Sequence, residues 1–386
     1  MARVSRYLPV MGITRIANVT GLDVIGVPVV TVCRPNARSL AVSQGKGLTL
    51  AAARASGLME SVESYHAETI TRPLVLASHE GLRYTRRAAD VDGLPALRGS
   101  LFHPQRRLLW IEGHDLMQGR PAWVPYELVH TDYTLPMPSG AGCFVPSSNG
   151  LASGNHVLEA VSHAVCEVVE RDATTLWNLQ PAEEQRATRV DLATVDDPDC
   201  RWVLDRFARA GVGAAVWELT SDVGLPVFRC TSVDGEAHAL HRTYAAAGMG
   251  CHGTRRVALL RALTEAAQSR LTMISGSRDD ATRDQYEHTR SPEVLGRVRA
   301  EVASEAGRRS FREAPDHEGE TFAEDVAWEL ACLERAGVRE VVVVDLQKPE
   351  LRIPVVRVVI PGLEGSDHAP AYAPGARARA RLGGPA

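Results

Sequence analysis

The sequence predicts an α/β (α+β) protein in which mixed and antiparallel sheets are packed by helices. Three observations carry this. β-Branched apolar runs recur along the 386-residue chain. Long segments with helical periodicity fall between them, and three of those helices share one internal pattern.

The run "GLDVIGVPVVTVCRP" (21–35) is apolar and β-branched and reads as a strand. "SQGKG" (43–47) reads as a loop and 49–67 as a helix. Residues 106–129 form two apolar runs around a polar turn, the pattern of a hairpin. The Gly/Ser/Asn-rich stretch 137–155 is long enough to be a functional loop, and a helix follows over 156–173. Residues 213–232 read as a strand pair, "GMGCHG" (248–253) as a second glycine loop, and 255–274 as a helix. The polar stretch 278–320 reads as surface helix and loop. A helix over 321–336 precedes two buried strands, "REVVVVDL" and "RIPVVRVVIPG". The Ala/Arg/Gly/Pro-rich tail 366–386 reads as disordered, leaving one domain over 1–365.

Composition narrows the function classes. Hydrophobic residues make up 45% of the chain, enough for a sizeable core. A formal charge of −4 gives no pull toward nucleic acid or a membrane surface. No apolar run reaches the roughly 18 residues of a membrane span, and the first residues lack a signal-peptide core, so a cytoplasmic protein is expected. The seven cysteines are scattered without CxxC spacing, which favours reduced, buried thiols over a zinc site or a disulfide framework. His156 and His163, near Cys166, are too loosely spaced to claim a metal.

The helical repeat is the most informative pattern. Aligning Glu60, Glu167 and Glu265 places Ala53, Ala160 and Ala258 seven residues earlier. Glu63, Glu170 and Gln268 then stand three residues later. Positions −7, −4, 0 and +3 lie on one helical face, and apolar residues flank that face in all three segments. Each helix therefore carries a narrow polar seam on an otherwise buried surface. Uncompensated buried carboxylates cost several kcal/mol each, comparable to the whole stability of a domain. Two solutions are open. Arg54, Arg171, Arg261 and Arg270 could close interhelical ion pairs, or a divalent cation could neutralise the acids. An oxygen-only seam suits Mg²⁺, which commonly also takes phosphate oxygens. "SQGKGLT" is no Walker loop, yet Lys46, one of only two lysines, sits between glycines as a point charge for phosphate.

These stretches carry a resemblance. "GITRIANVTGLDVIGVPVV", "SQGKG", "SGLMESVESYHAE", "NGLASGNHVLEAVSHAVCEVVERDA" and "RALTEAAQSRLTMISGSRDD" together resemble the YcaO family over about residues 10–365. The combination is specific: Ser56, Glu60 and Glu63; Glu167, Glu170 and Arg171; Gln268 and Arg270. The resemblance implies a YcaO-like fold and ATP-dependent activation of a peptide backbone amide in a ribosomally made peptide or protein. A nucleophile adds to the amide carbon, the oxyanion attacks the γ-phosphate, and phosphate leaves with the former carbonyl oxygen. A Cys, Ser or Thr side chain as nucleophile gives an azoline, and an external sulfide equivalent gives a thioamide. By motif match, Glu60, Glu63, Glu167 and Glu170 would hold Mg²⁺. Ser56, Asn155, Arg171, Gln268 and Arg270 would contact the nucleotide or orient metal-bound waters, Glu159 matches a further acid of the family's ATP site, and Lys46 joins them as the point charge for phosphate read above.

Azoline-forming members end in a proline-rich PxPxP tail, whereas this chain ends "LGGPA". It is more similar to members that form thioamides with a TfuA-type partner and a sulfur donor. His252, just before the third seam helix, is a candidate general base, with helix capping as its plainer role. A homodimer fits the resemblance as well. The competing class is a non-catalytic nucleotide-binding scaffold that presents a precursor peptide, but such a protein would tend to lose seam acids, and here all stand.

Overall fold

A computed structural model of the protein describes residues 2–235, 245–304, 308–369 and 371–383. The chain divides into two compact units that alternate along the sequence. The first comprises Met1–Ser61, Pro181–Thr220 and Pro226–His317, the second Val62–Gln180, Ser221–Leu225 and Glu318–Ala386.

The first unit holds two three-stranded antiparallel sheets. One is formed in sequence order by Arg15–Asn18, Val29–Cys33 and Val42–Lys46. In the other, Val227–Asp234 lies between Val212–Glu218 and Ala245–Cys251. Most of each glycine loop of the sequence reading is therefore strand, 43–46 within Val42–Lys46 and 248–251 within Ala245–Cys251. Glycine normally weakens a strand, except where another backbone must come close. That exception holds here. A Cβ on Gly45 would lie 2.0 Å from the Gly57 nitrogen and 2.1 Å from the Ala53 carbonyl oxygen. A Cβ on Gly250 would lie 2.2 Å from the Ala258 carbonyl oxygen, and one on Gly248 2.2 Å from the Ala266 nitrogen. Helices Leu50–Glu68 and Arg255–Ser275 are thus seated backbone against backbone on glycine strands. Small residues on the helices, among them the repeated Ala53 and Ala258, complete the contact. Phe207, Phe228 and Phe311 fill the core around the second of these helices.

The second unit is built on a six-stranded sheet. Its main path runs Leu74–Ser78, Arg107–Asp115, Val342–Asp345, Val355–Val359, Leu151–Ser153, and Arg120–Pro125 also pairs with Arg107–Asp115. All these pairings are antiparallel. The hairpin expected over 106–129 is present. Helix Val157–Asn178 packs on Val355–Val359 and Leu151–Ser153, and runs past 173 because Ala173 to Trp177 are all buried. Helix Phe322–Arg335 packs on its flank. No helix among the described residues is long and apolar enough to cross a membrane.

The expectation of a disordered tail over 366–386 fails at its centre, where Ala376–Arg381 is a helix. Buried acids hold it. Arg377 donates to both oxygens of Asp172 at 2.9 and 3.0 Å and also pairs with Asp222. The Gly375 and Ala378 N–H groups and the Tyr372 hydroxyl all donate to Glu364. Composition registered the arginines of the tail but not the acids that receive them.

Candidate functional site

The seam residues fall on three helices, each seated beside a glycine strand or turn. In the first unit, helix Leu50–Glu68 carries Ser56, half-buried, one turn before Glu60. The Gln44 N–H, on strand Val42–Lys46, donates to the Glu60 carboxylate at 3.3 Å. Burial pushes the Glu60 carboxyl up to about 7, even though solvent reaches the residue. Lys46, the Gln44 N–H and Arg278 oppose that shift, and Glu265 adds to it. Protein therefore crowds an accessible acid, and a nearby cation would favour its ionised form.

Lys46, expected as a point charge for phosphate, is engaged within the protein. Its ammonium donates to Glu265 at 2.6 Å, and Glu265 also accepts the Met249 N–H at 3.2 Å. The third seam helix, Arg255–Ser275, thus ties its anchor acid to the lysine of the first sheet. Gln268 is half-buried, and its side-chain oxygen has no hydrogen-bond partner among the described residues. Arg270 is buried and engaged. Its Nε and Nη2 meet the two oxygens of Asp23 at 3.0 and 3.1 Å, and Nη2 also meets Asp234 at 2.9 Å. The arginine that the resemblance assigns to nucleotide is here a clamp between two acids. His252 Nδ1 accepts the Thr254 N–H at 3.0 Å, directly before the third helix. A neutral ring in that arrangement carries its proton on Nε2, which makes it a donor rather than a base. Arg278, another arginine near the seam, pairs with Asp280 through Nε at 2.7 Å.

In the second unit, Glu63 accepts from the Ser153 N–H at 2.9 Å and from its hydroxyl at 2.5 Å. Ser153 ends the short strand Leu151–Ser153. Asn155 donates through its backbone N–H to Glu159 at 2.6 Å and through its side-chain amide at 3.2 Å. That pair sits at the start of helix Val157–Asn178. One turn apart further along are Glu167, half-buried, and Glu170, buried and paired with Arg171 at 3.2 Å. The buried guanidinium of Arg357 lies within electrostatic reach of Glu167.

Among the described residues no group of three or more His, Cys, Asp or Glu side chains is arranged to hold a metal ion. Mg²⁺ asks for less, since it commonly uses one or two carboxylates and completes its shell with water and phosphate oxygens. In the first unit the crowded acid at Glu60 and the orphaned amide oxygen of Gln268, and in the second the carboxylates of Glu63, Glu167 and Glu170, are oxygen donors of the kind such an ion takes.

Sequence reasoning missed the partners: Gln44, Ser153, Asp23, Asp234 and Arg357. Of these, Arg357 left a readable signal, as one charge inside the valine run "VVRVV". The others are ordinary polar residues brought in by tertiary pairing, and nothing in their local sequence marks them.

The family model described as YcaO cyclodehydratase, ATP- and Mg²⁺-binding, matches residues 44–364. A protein of Rhizobium leguminosarum bv. trifolii, described as lying in the tfuA 3′ region, is 37% identical over 371 residues, covering 94% of this chain and 86% of its own length. A protein of Methanothermobacter thermautotrophicus is 35% identical over 368 residues, covering 92% and 91%. Among solved structures, YcaO from Methanopyrus kandleri bound with AMPPCP and Mg²⁺ superposes with a TM-score of 0.71 at 23% identity, covering 96% of this chain and 91% of that one. A heterocyclase in complex with substrate and cofactor superposes with a TM-score of 0.77 at 22% identity. It covers 99% of this chain, which spans about half (54%) of the heterocyclase. With three seamed helices in place and a family model running almost from the first seam's glycine strand to Glu364, the chain belongs to the YcaO family.

Proposed function

We propose that the protein uses ATP and Mg²⁺ to activate a backbone amide of a ribosomally synthesised peptide or protein by phosphorylating the amide oxygen. With a TfuA-like partner and a sulfur donor, the product is a thioamide. The observation that carries this reading is the family match over residues 44–364, and a 37%-identical relative described by its tfuA neighbourhood favours the thioamide. A cytoplasmic setting accords with it.

Bound Mg²⁺ would neutralise and orient the phosphate oxygens of the nucleotide, the main task in phosphoryl transfer. Glu60, Glu63, Glu167 and Glu170 are assigned to hold it. Ser153 fixes the Glu63 carboxylate through two hydrogen bonds, and Arg171 balances Glu170. Ser56, Asn155, Glu159, Arg171 and Gln268 are assigned to the nucleotide. Lys46 reaches a phosphate only by sharing its ammonium with Glu265, and Arg270 acts through the acids it clamps. His252, with Nδ1 accepting the Thr254 N–H, would act through Nε2, as a donor that steadies charge on oxygen.

The test is ATP turnover with precursor peptide and partner. Turnover should need Mg²⁺ and should fall at least about 100-fold in Glu63→Gln and in Glu170→Gln, with unchanged melting curves. Near-normal turnover in both variants would sink the assignment. The second reading is azoline formation on Cys, Ser or Thr, favoured by the family's description as a cyclodehydratase. Intact mass of co-expressed precursor separates the two: sulfur-for-oxygen exchange raises the mass, and ring closure loses water. A non-catalytic scaffold would change neither.

A further inference from the structure

In the six-stranded sheet of the second unit, every strand but one buries at least one residue, and Leu74–Ser78 buries none. It stands at the end of the sheet's main path, paired residue for residue with Arg107–Ile111 on one side. About half the backbone N–H and C=O groups of such a strand point away from its partner. Among the described residues, no backbone group other than those of Arg107–Ile111 bonds to this strand. Its one further main-chain contact is Trp110 Nε1, which donates to the Ala77 carbonyl at 3.0 Å.

Sheet edges are normally blunted by a charge, a proline or a bulge. The sequence "LVLAS" holds neither charge nor proline, and its register is unbroken. Leu74 and Leu76, two apart and so on one face, are 37% and 40% exposed. Arg107, opposite Ser78, lies on that face as well and is exposed. An open apolar edge of this kind is a template for one more strand.

Charge narrows the occupant. Arg72 is exposed just before the strand, and Arg83 and Arg107 are exposed at its far end. Over the segment 79–107 six arginines stand against the three acids Glu80, Asp90 and Asp92, although the whole chain carries a net −4. One of the six, Arg87, is already spent on Asp115 and Glu340. A second copy of the chain is a poor match. Antiparallel self-pairing would set Arg72 of one copy beside Arg107 of the other, and like charges placed opposite each other destabilise a sheet. Length narrows it further. Five residues span about 17 Å, the reach of a short linear segment, whereas a folded partner commonly needs about 800 Å² on each side.

We propose that the outer edge of Leu74–Ser78 docks an extended acidic segment of the peptide substrate as a further strand. Alternate apolar side chains of that segment lie against Leu74 and Leu76, and its carboxylates meet Arg72 and Arg107. Main-chain hydrogen bonds supply affinity, and the leucines and arginines supply selectivity. Naming the substrate as the source rests on the function proposed above, whereas the docking itself needs neither ATP nor Mg²⁺.

The experiment uses the full chain without ATP, against which a display library of random short peptides is panned at low salt. Enriched peptides should alternate apolar residues, carry Asp or Glu, and slow amide hydrogen exchange at residues 74–78. Their affinity should fall as salt rises. Leu76→Lys, which places a charge on an exposed edge side chain, should melt like the parent and weaken these peptides at least about tenfold. Arg107→Glu should weaken the acidic ones by a similar factor. The precursor used for turnover should displace them. Equal binding to the parent and Leu76→Lys, protection only outside 74–78, a precursor that is turned over without displacing the peptides, or no enriched peptide would overturn the proposal. A parent dimer that Leu76→Lys dissociates would also overturn it, since the edge would then belong to a second copy. Failure of the ATP reading would leave peptide docking measurable, so the two failures are distinguishable.

Discussion

At the scale of single residues, the fold spends charge in pairs. Arg270 shows this most clearly, buried with three hydrogen bonds to Asp23 and Asp234. Removing one member of a buried pair leaves the other uncompensated, which typically costs about 3–5 kcal/mol. Arg270→Gln should therefore lose that much urea-unfolding free energy without any nucleotide present. A loss under about 1 kcal/mol would instead mark Arg270 as free for a ligand. The sequence showed which residues were charged and which shared a helical face. It did not show their partners, because Asp23 and Asp234 come from segments more than thirty residues away from Arg270. Lys46 makes the same point. Its isolation among arginines was visible, but its bond to Glu265, 219 residues away, was not.

At the scale of elements, the three helices were legible because periodicity and spacing are local properties. Their boundaries fell within a few residues, apart from the longer C-terminal end of Val157–Asn178. The glycine strands were misread because their composition is that of a loop, and only the helix lying against each strand explains it. The tail helix was misread for a related reason. Asp172 is fully buried, its carboxyl raised to about 6 by burial and held down by Arg377. Arg377→Met should destabilise the second unit by about 3–5 kcal/mol in urea unfolding, whereas a truly detached tail would give no change. The packing of helix Phe322–Arg335 on Val157–Asn178 makes a pH prediction. Glu329, buried at that contact, receives the Ser162 hydroxyl at 2.5 Å, and burial raises its carboxyl to about 8 from an ordinary 4.5. The folded state holds this proton more tightly than the unfolded one. Its contribution is thus complete below about 4.5 and is lost as pH rises through about 8. Glu329→Gln should flatten the fall in stability across that window, and melting curves of both proteins from pH 5 to about 9 would show it. Parallel curves would contradict the assignment.

At the scale of the whole molecule, the family, with its description as ATP- and Mg²⁺-binding, was legible before the architecture was. Three spaced motifs sufficed for the first, whereas the division into two units depends on contacts between distant segments. ATP with Mg²⁺ should raise the melting temperature of the intact chain by several degrees, with less effect from either alone, if the seams hold both. An unchanged curve would favour a purely structural role for the seam acids. The alternation of the two units along the chain also bears on how the protein is made. Strand Arg107–Asp115, with its buried Trp110 and Ile111, meets one of its sheet neighbours only when Val342–Asp345 has been synthesised. At about 5–20 residues per second, a ribosome needs more than ten seconds to cover that interval. During that time the nascent chain holds a sheet with an open edge, and the last seventy residues close it. Translation speed and chaperone access over that interval should govern yield more strongly than mutations at the seams.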